Sequence, residues 1–220
     1  AWVPLGWEAV GFSEIEPFPS AVLAQHYPHV PNLGDMTQYA TWPRTLRPDL
    51  LVGGTPCQSF SVAGLRKGLD DARGNLMLTY GAIAARYRPR WLVWENVPGV
   101  LSSNEGRDFA ALLGLLTGQC VEPPADGWGN SGVLGGIASA YGVAWRVLDA
   151  QYVRVESHAR AVPQRRRRVF LVGHLGDWRR AAAVLFERES LQGHSAPRRE
   201  PREGTSHSVA PSLTSSGRGV

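Results

Sequence analysis

Two kinds of run alternate along the chain. Short, largely apolar stretches at residues 7–13 (WEAVGFS), 49–53 (DLLVG) and 91–95 (WLVWE) have the length and composition of buried strands. Longer segments with helical spacing lie between them. Pro17 opens one that runs to about Tyr27, since proline is favoured in a first turn where its missing N–H costs nothing. Residues 74–88 place Leu76, Tyr80, Ile83 and Tyr87 at helical spacing, and 106–117 reads as a helix stopped by Gly118. Residues 144–152 and 169–173 are two further strands, joined by a basic connection. Strands alternating with helices predict an α/β fold with a mostly parallel sheet covered on both faces. No internal repeat is present.

Composition narrows the class. At 43% hydrophobic and 19% charged, the 220 residues can build a sizeable core and are not a chain disordered throughout. No stretch approaches the length of apolar run that spans a bilayer, and no basic segment followed by an apolar one reads as a signal peptide, so a cytoplasmic protein is expected. Cys57 and Cys120 form no Cys-x-x-Cys pair, so neither a disulfide framework nor a metal site is predicted.

Charge divides the chain. Residues 1–150 carry 10 Lys and Arg against 13 Asp and Glu, whereas 151–220 carry 13 against 6. An acidic body with a basic final third suits a polyanionic partner, or simply a solvated surface. Of the 23 basic residues all but Lys67 are Arg, which favours bidentate phosphate contacts; a GC-rich genome gives the same bias. From about residue 190, Ser, Gly, Pro, Arg and His dominate, as in a tail or the opening of a further domain.

Candidate chemistry sits after two strands. In open α/β sheets, sites form beyond the carboxyl ends of strands. Residues 53–61 (GGTPCQSFS) follow one strand, and Glu95-Asn96-Val97 closes another. If these strands are neighbours, Cys57 and Glu95 face one crevice. A thiolate and a carboxylic acid there suit attack on an electron-poor ring that is protonated as charge develops. A small buried cysteine and a surface carboxylate are the plainer alternatives. The second Cys and the His-x-Glu of a zinc deaminase are absent, as is the Gly-x-Gly-x-x-Gly of a nicotinamide dehydrogenase.

Thr-Pro-Cys-Gln-Ser-Phe-Ser (55–61) resembles the nucleophile motif of the S-adenosylmethionine-dependent DNA cytosine-5 methyltransferases. Glu95-Asn96-Val97 is similar to that family's Glu-Asn-Val motif, and residues 163–168 (PQRRRR) to its Gln-x-Arg-x-Arg motif. Residues 13–16 (SEIE) and 34–37 (GDMT) resemble its two cofactor motifs. Five motifs in order across residues 10–175 make a specific signal, closest to bacterial and phage enzymes. The resemblance implies a Rossmann-like α/β methyltransferase fold with S-adenosylmethionine as cofactor and double-stranded DNA as partner.

It also implies roles. Cys57 attacks C6 of a cytosine flipped out of the duplex, and Glu95 contacts N3 and the exocyclic amine and donates a proton. Arg168 holds O2, and Arg166 supports Glu95 or a nearby phosphate. Glu14 accepts from the ribose hydroxyls, Ile15 packs on the adenine, Asp35 accepts from its amine with Met36 beside it, and Pro56 and Leu76 border the cofactor. Residues 58–75 resemble the family's mobile active-site loop, with Gln58, Ser61, Arg66, Lys67 and Arg73 as DNA contacts.

The family opens with a strand and a Phe-x-Gly-x-Gly loop and closes with a target-recognition domain. Residues 1–185 are therefore expected to be a catalytic domain without its first strand, and 186–220 a linker and the start of a truncated recognition domain. Such a piece is expected to bind cofactor poorly. The context implied is restriction-modification or phage, with a monomeric enzyme and a cognate restriction endonuclease as its companion. A remnant that only binds nucleic acid, or an RNA methyltransferase of the same fold, are the alternatives.

Overall fold

A computed structural model describes residues 3–55, 76–153 and 163–186. Its elements in chain order are helix α1 (Pro17–His26), strand β1 (Leu50–Gly54), helix α2 (Leu76–Tyr87), strand β2 (Trp91–Asn96) and helix α3 (Arg107–Thr117). Strands β3 (Ser131–Leu134), β4 (Tyr141–Asp149) and β5 (Arg167–Leu175) and helix α4 (Trp178–Leu185) follow. The strands form one sheet in the order β1-β2-β5-β4-β3.

The α/β class is as expected, but the pairing differs from a mostly parallel sheet. Strands β1 and β2 pair in parallel, whereas β5 is antiparallel to both β2 and β4, and β3 is antiparallel to β4. Three strands still share one direction. Strand β5 pairs with β4 antiparallel along the whole length of both, from Tyr141 opposite Leu175 to Asp149 opposite Arg167.

The core lies on one face of the sheet. Leu92 and Trp94 of β2, Val143 and Trp145 of β4, and Val169 and Leu171 of β5 meet Met77 and Tyr80 of α2 and Phe109, Leu112, Leu113 and Leu116 of α3. Phe109, Trp128 and Trp145 pack edge to face, with ring centroids 5.3–5.6 Å apart. On the other face α4 covers Ala144 and Val172 through Ala181. Helices therefore flank both faces. Gly118 ends α3 in the left-handed conformation (φ +71°), its N–H donating to the Gly114 carbonyl at 2.9 Å; this is the stop that its glycine predicts.

Three elements depart from the sequence reading. Residues 7–13 form no strand; Phe12 alone makes a single parallel bridge with Asn32. Residues 7, 8 and 10 are exposed and have no neighbouring strand among the described residues. Strand β3 and helix α4 were not expected. The first is four residues flanked by glycine, and the second is announced by Asp177, whose carboxylate accepts from the Arg179 N–H at 3.0 Å. No described helix is long and apolar enough to cross a membrane.

Candidate active site

The sheet brings the ends of β1, β2 and β5 together. In the register, Gly54 lies opposite Glu95, and Glu95 lies opposite Phe170. Arg168 is two residues before Phe170 on the same face of β5, a diagonal neighbour within reach of a long side chain. Its Nε donates to Glu95 Oε1 at 2.8 Å. The two side chains remain 23% and 33% exposed, so the pair is open to a ligand. The Glu95 carboxylate crosses Gly54: a Cβ at Gly54 would lie 3.3 Å from Glu95 Oε2, so the small residue there leaves room for the acid.

Behind this pair lies a buried polar clamp. Asn96 Nδ2 donates to the Thr55 carbonyl at 2.9 Å, and Trp94 Nε1 donates to Thr55 Oγ1 at 3.0 Å. Asn96 Oδ1 accepts from the Val97 N–H at 2.8 Å, fixing the turn that leaves β2. All three residues are buried. Buried amide and indole groups need such partners, and here the partner is the residue two before Cys57 in the sequence. Cys57 itself lies outside the described residues, as do Pro56, Gln58, Ser61, Arg66, Lys67 and Arg73.

The arginine run is anchored from β4. Asp149 Oδ1 accepts from the Arg166 backbone N–H at 3.0 Å, and its other oxygen from Gln151 Nε2 at 2.9 Å. Partial desolvation pushes the Asp149 carboxyl up, but hydrogen bonds from Gln151 and Arg166 and the nearby Arg165 outweigh it and hold the pKa below the usual value. The Arg166 residue is exposed, and the partner of Glu95 is Arg168 rather than Arg166. Thr55 and Asn96 belong to the two motifs quoted from the sequence, but their pairing, and Asp149, are not read there. The signal for Asp149 was available: an acid at a strand end just ahead of a four-arginine run.

The two segments expected to meet the cofactor are side by side. Asn32 ties them, accepting from the Glu14 N–H at 3.0 Å and donating to the Glu14 carbonyl at 2.9 Å, while Ser13 Oγ donates to the Gly34 carbonyl at 2.6 Å. Glu14 Oε1 accepts from the Ile15 and Glu16 N–H groups at 2.8 Å, and Asp35 Oδ1 from the Thr37 N–H at 2.8 Å. Each carboxylate thus has a second oxygen to offer. Ile15 is 68% exposed, an apolar surface beside those acceptors. Met36 packs against the main core, and Leu76 begins α2, half-buried. Two acceptors with an apolar side chain between them suit the hydroxyls and the base of a nucleoside.

An α/β protein with motif-bearing loops at the ends of adjacent strands belongs to the broad class that places its chemistry at strand ends. Comparison with known proteins fixes the family. The model of the C-5 cytosine-specific DNA methylases matches residues 2–117, and the chain belongs to that family. A protein of Escherichia phage P1 named DNA N-6-adenine-methyltransferase is 43% identical, covering 99% of this chain and 32% of that protein. The type II methyltransferase M.NgoBV of Neisseria gonorrhoeae is 32% identical over 76% of this chain and 35% of its own length. A crystal structure of Spodoptera frugiperda DNMT2 is 19% identical, covering 80% of this chain and 46% of that one, with a TM-score of 0.46. The chain spans about a third of the length of the P1 and gonococcal relatives.

Proposed function

We propose that the protein transfers a methyl group to C5 of cytosine in double-stranded DNA. The observation that carries this reading is the joining of three motifs: Thr55, ahead of Cys57, clamped to Asn96, with Glu95 beside it paired to Arg168. S-adenosylmethionine, when bound against Glu14, Ile15, Asp35 and Met36, supplies the methyl as an electrophile. The chain's own residues prepare the base. The Cys57 thiolate bonds to C6, and the electrons of the C5–C6 bond shift so that C5 becomes the nucleophile. Glu95 donates a proton to N3, and Arg168 neutralises charge on O2. After C5 is methylated, a base removes the C5 proton as the C6–S bond breaks, which releases the Cys57 thiolate, and N3 returns its proton to Glu95. Free cysteine has a pKa of about 8.5, so the site must favour the thiolate. A cytosine within a duplex is out of reach, so the base is flipped out, at a cost of a few kcal/mol.

Residues 1–185 form the catalytic unit in this reading, with 186–220 leading toward the target-recognition region. The enzyme acts as a monomer in the cytoplasm, within a restriction-modification or phage context where methylation would protect the sites that a cognate endonuclease cuts.

The test is the product. The protein is incubated with labelled S-adenosylmethionine and unmethylated duplex DNA, and the nucleosides are separated by mass spectrometry. The expected product is 5-methylcytosine, lost in Cys57→Ser. N6-methyladenine as the sole product would replace this reading with the chemistry for which the P1 relative is named. 5-Methylcytosine in transfer RNA but not in DNA would move the activity to RNA.

A further inference from the structure

At the opposite end of the strands lies a second concave site. Trp91, which opens β2, is four residues from Glu95, or ~13 Å along a strand. Beside it is a cleft of about 350 Å³ lined by Arg47, Asp49, Tyr87, Arg88, Arg90 and His174, among others. Three separate stretches build it: the approach to β1, the turn between α2 and β2, and the end of β5.

Three guanidinium groups converge there with one carboxylate. No carboxylate among the described residues pairs with Arg47, Arg88 or Arg90. Two of the three are held in place through backbone carbonyls. Arg47 donates to the carbonyls of Arg44 and Leu46, and Arg88 Nη2 donates to the Ser139 carbonyl at 2.9 Å. Arg88 also occupies the left-handed region (φ +48°) directly after α2, a conformation that glycine would adopt more easily.

The wall also carries His174, 8% exposed, whose ring meets Trp91 edge-on with centroids 4.6 Å apart. The imidazole is fixed beside the three arginines and senses charge placed among them. Phosphate oxygens match both the charge and the planar donors of the guanidinium groups.

We propose that this cleft binds a small phosphate-bearing anion, either inorganic phosphate or a phosphomonoester of mononucleotide size. Arg47, Arg88 and Arg90 counter its charge and donate to its oxygens, and His174 lies beside it in the wall. Asp49, on the same wall, opposes it and sets an upper limit on affinity. The site is independent of the methyl-transfer reading, since it lies at the other end of the sheet and uses none of the same side chains.

Burial pushes the His174 pKa down, as do Arg180 and Arg90, against the opposing pull of Asp177 and a hydrogen bond to the Leu175 backbone. Arg47 and Arg88 add positive charge from the cleft and Asp49 negative charge. A bound dianion adds a large negative charge beside the ring, so it raises the His174 pKa. That gives a site-specific readout. The full 220-residue chain is titrated with phosphate, with AMP and with duplex DNA at constant ionic strength, while the His174 side-chain resonances are followed by NMR. Phosphate or AMP is expected to shift them saturably and raise the apparent pKa. A response to phosphate alone identifies the free anion as ligand, and a tighter response to AMP identifies the monoester. Arg90→Gln should weaken binding by about tenfold, and Asp49→Asn should tighten it. No saturable shift with either small anion, or equal affinity in the wild type and both variants, overturns the proposal. So does a response to duplex DNA alone, which would make the cleft a nucleic-acid contact.

Discussion

The two ends of the described chain are held by different physics. From β1 to α4 the chain is built on burial: Leu92, Trp94, Val100, Phe109, Leu112, Leu113, Val143, Val169 and Leu171 are completely inaccessible to water. Before β1 almost nothing is buried. Helix α1 contributes no buried residue, and Phe18 is 79% exposed; Trp42 is the first core side chain met along the chain. The segments carrying Glu14 and Asp35 are held instead by Asn32 and Ser13, through hydrogen bonds near the surface. Apolar burial is cooperative and costly to disturb, whereas exposed hydrogen bonds exchange with water at small net cost. The proposed catalytic residues Glu95 and Arg168 therefore rest on strands tied into the buried core, and the proposed cofactor segments rest on exposed hydrogen bonds.

This contrast can be broken at either end. Leu92→Ala should have the largest effect, about 2–5 kcal/mol of lost stability in urea unfolding, because it opens a cavity between β2 and the helices. A loss below 1 kcal/mol would mean the sheet core is not what holds the protein together. Asn96→Ala comes next. It strands the buried Thr55 carbonyl and frees the partly exposed Val97 N–H, at about 1–3 kcal/mol. Methyl transfer should fall further than stability alone explains. Asn32→Ala should cost about 1 kcal/mol or less and leave the main unfolding transition in place. Its signature is faster amide exchange at Glu14 and Gly34, with no change at β2. The smallest effect is in pH. His174 has a lowered folded pKa, so the unfolded chain binds the extra proton first as pH falls below about 6.5. Stability is then full above that pH and declines as pH drops toward the folded value. His174→Asn should flatten that decline in thermal melts taken across this range.

How much of this was legible beforehand follows the same division. The strands at Leu50 and Trp91 are readable because each is a short unbroken apolar run, although only alternate positions of β2 are buried, and α3 because Gly118 marks its end. Residues 7–13 have a similar apolar look but form no strand, since a strand needs a neighbour and periodicity does not supply one. The antiparallel insertion of β5 was legible in principle from the lack of a helical pattern between Asp149 and Arg167. At the site, residue types announced Glu95 and the arginine run, but not which arginine meets the acid. The Glu95–Arg168 pairing depends on β2 and β5 being neighbours in one register, a long-range fact that no local pattern encodes. The Asp149 anchor and the Thr55–Asn96 clamp were missed for the same reason: each joins residues at least 17 positions apart in the chain.

The proposed reaction turns on Cys57 attacking C6 and activating C5, with Glu95 assisting. Exchange of the cytosine C5 hydrogen for deuterium in heavy water, on unmethylated duplex DNA with no methyl donor present, isolates that step. Attack at C6 makes C5 basic and its hydrogen exchangeable, so exchange reads it without requiring methyl transfer. Exchange is expected with the wild-type protein, none with Cys57→Ser, and a rate reduced by about 10²–10⁴ in Glu95→Gln. Exchange that persists unchanged without the Cys57 thiol, or no exchange in the wild type on DNA that it demonstrably binds, would contradict it.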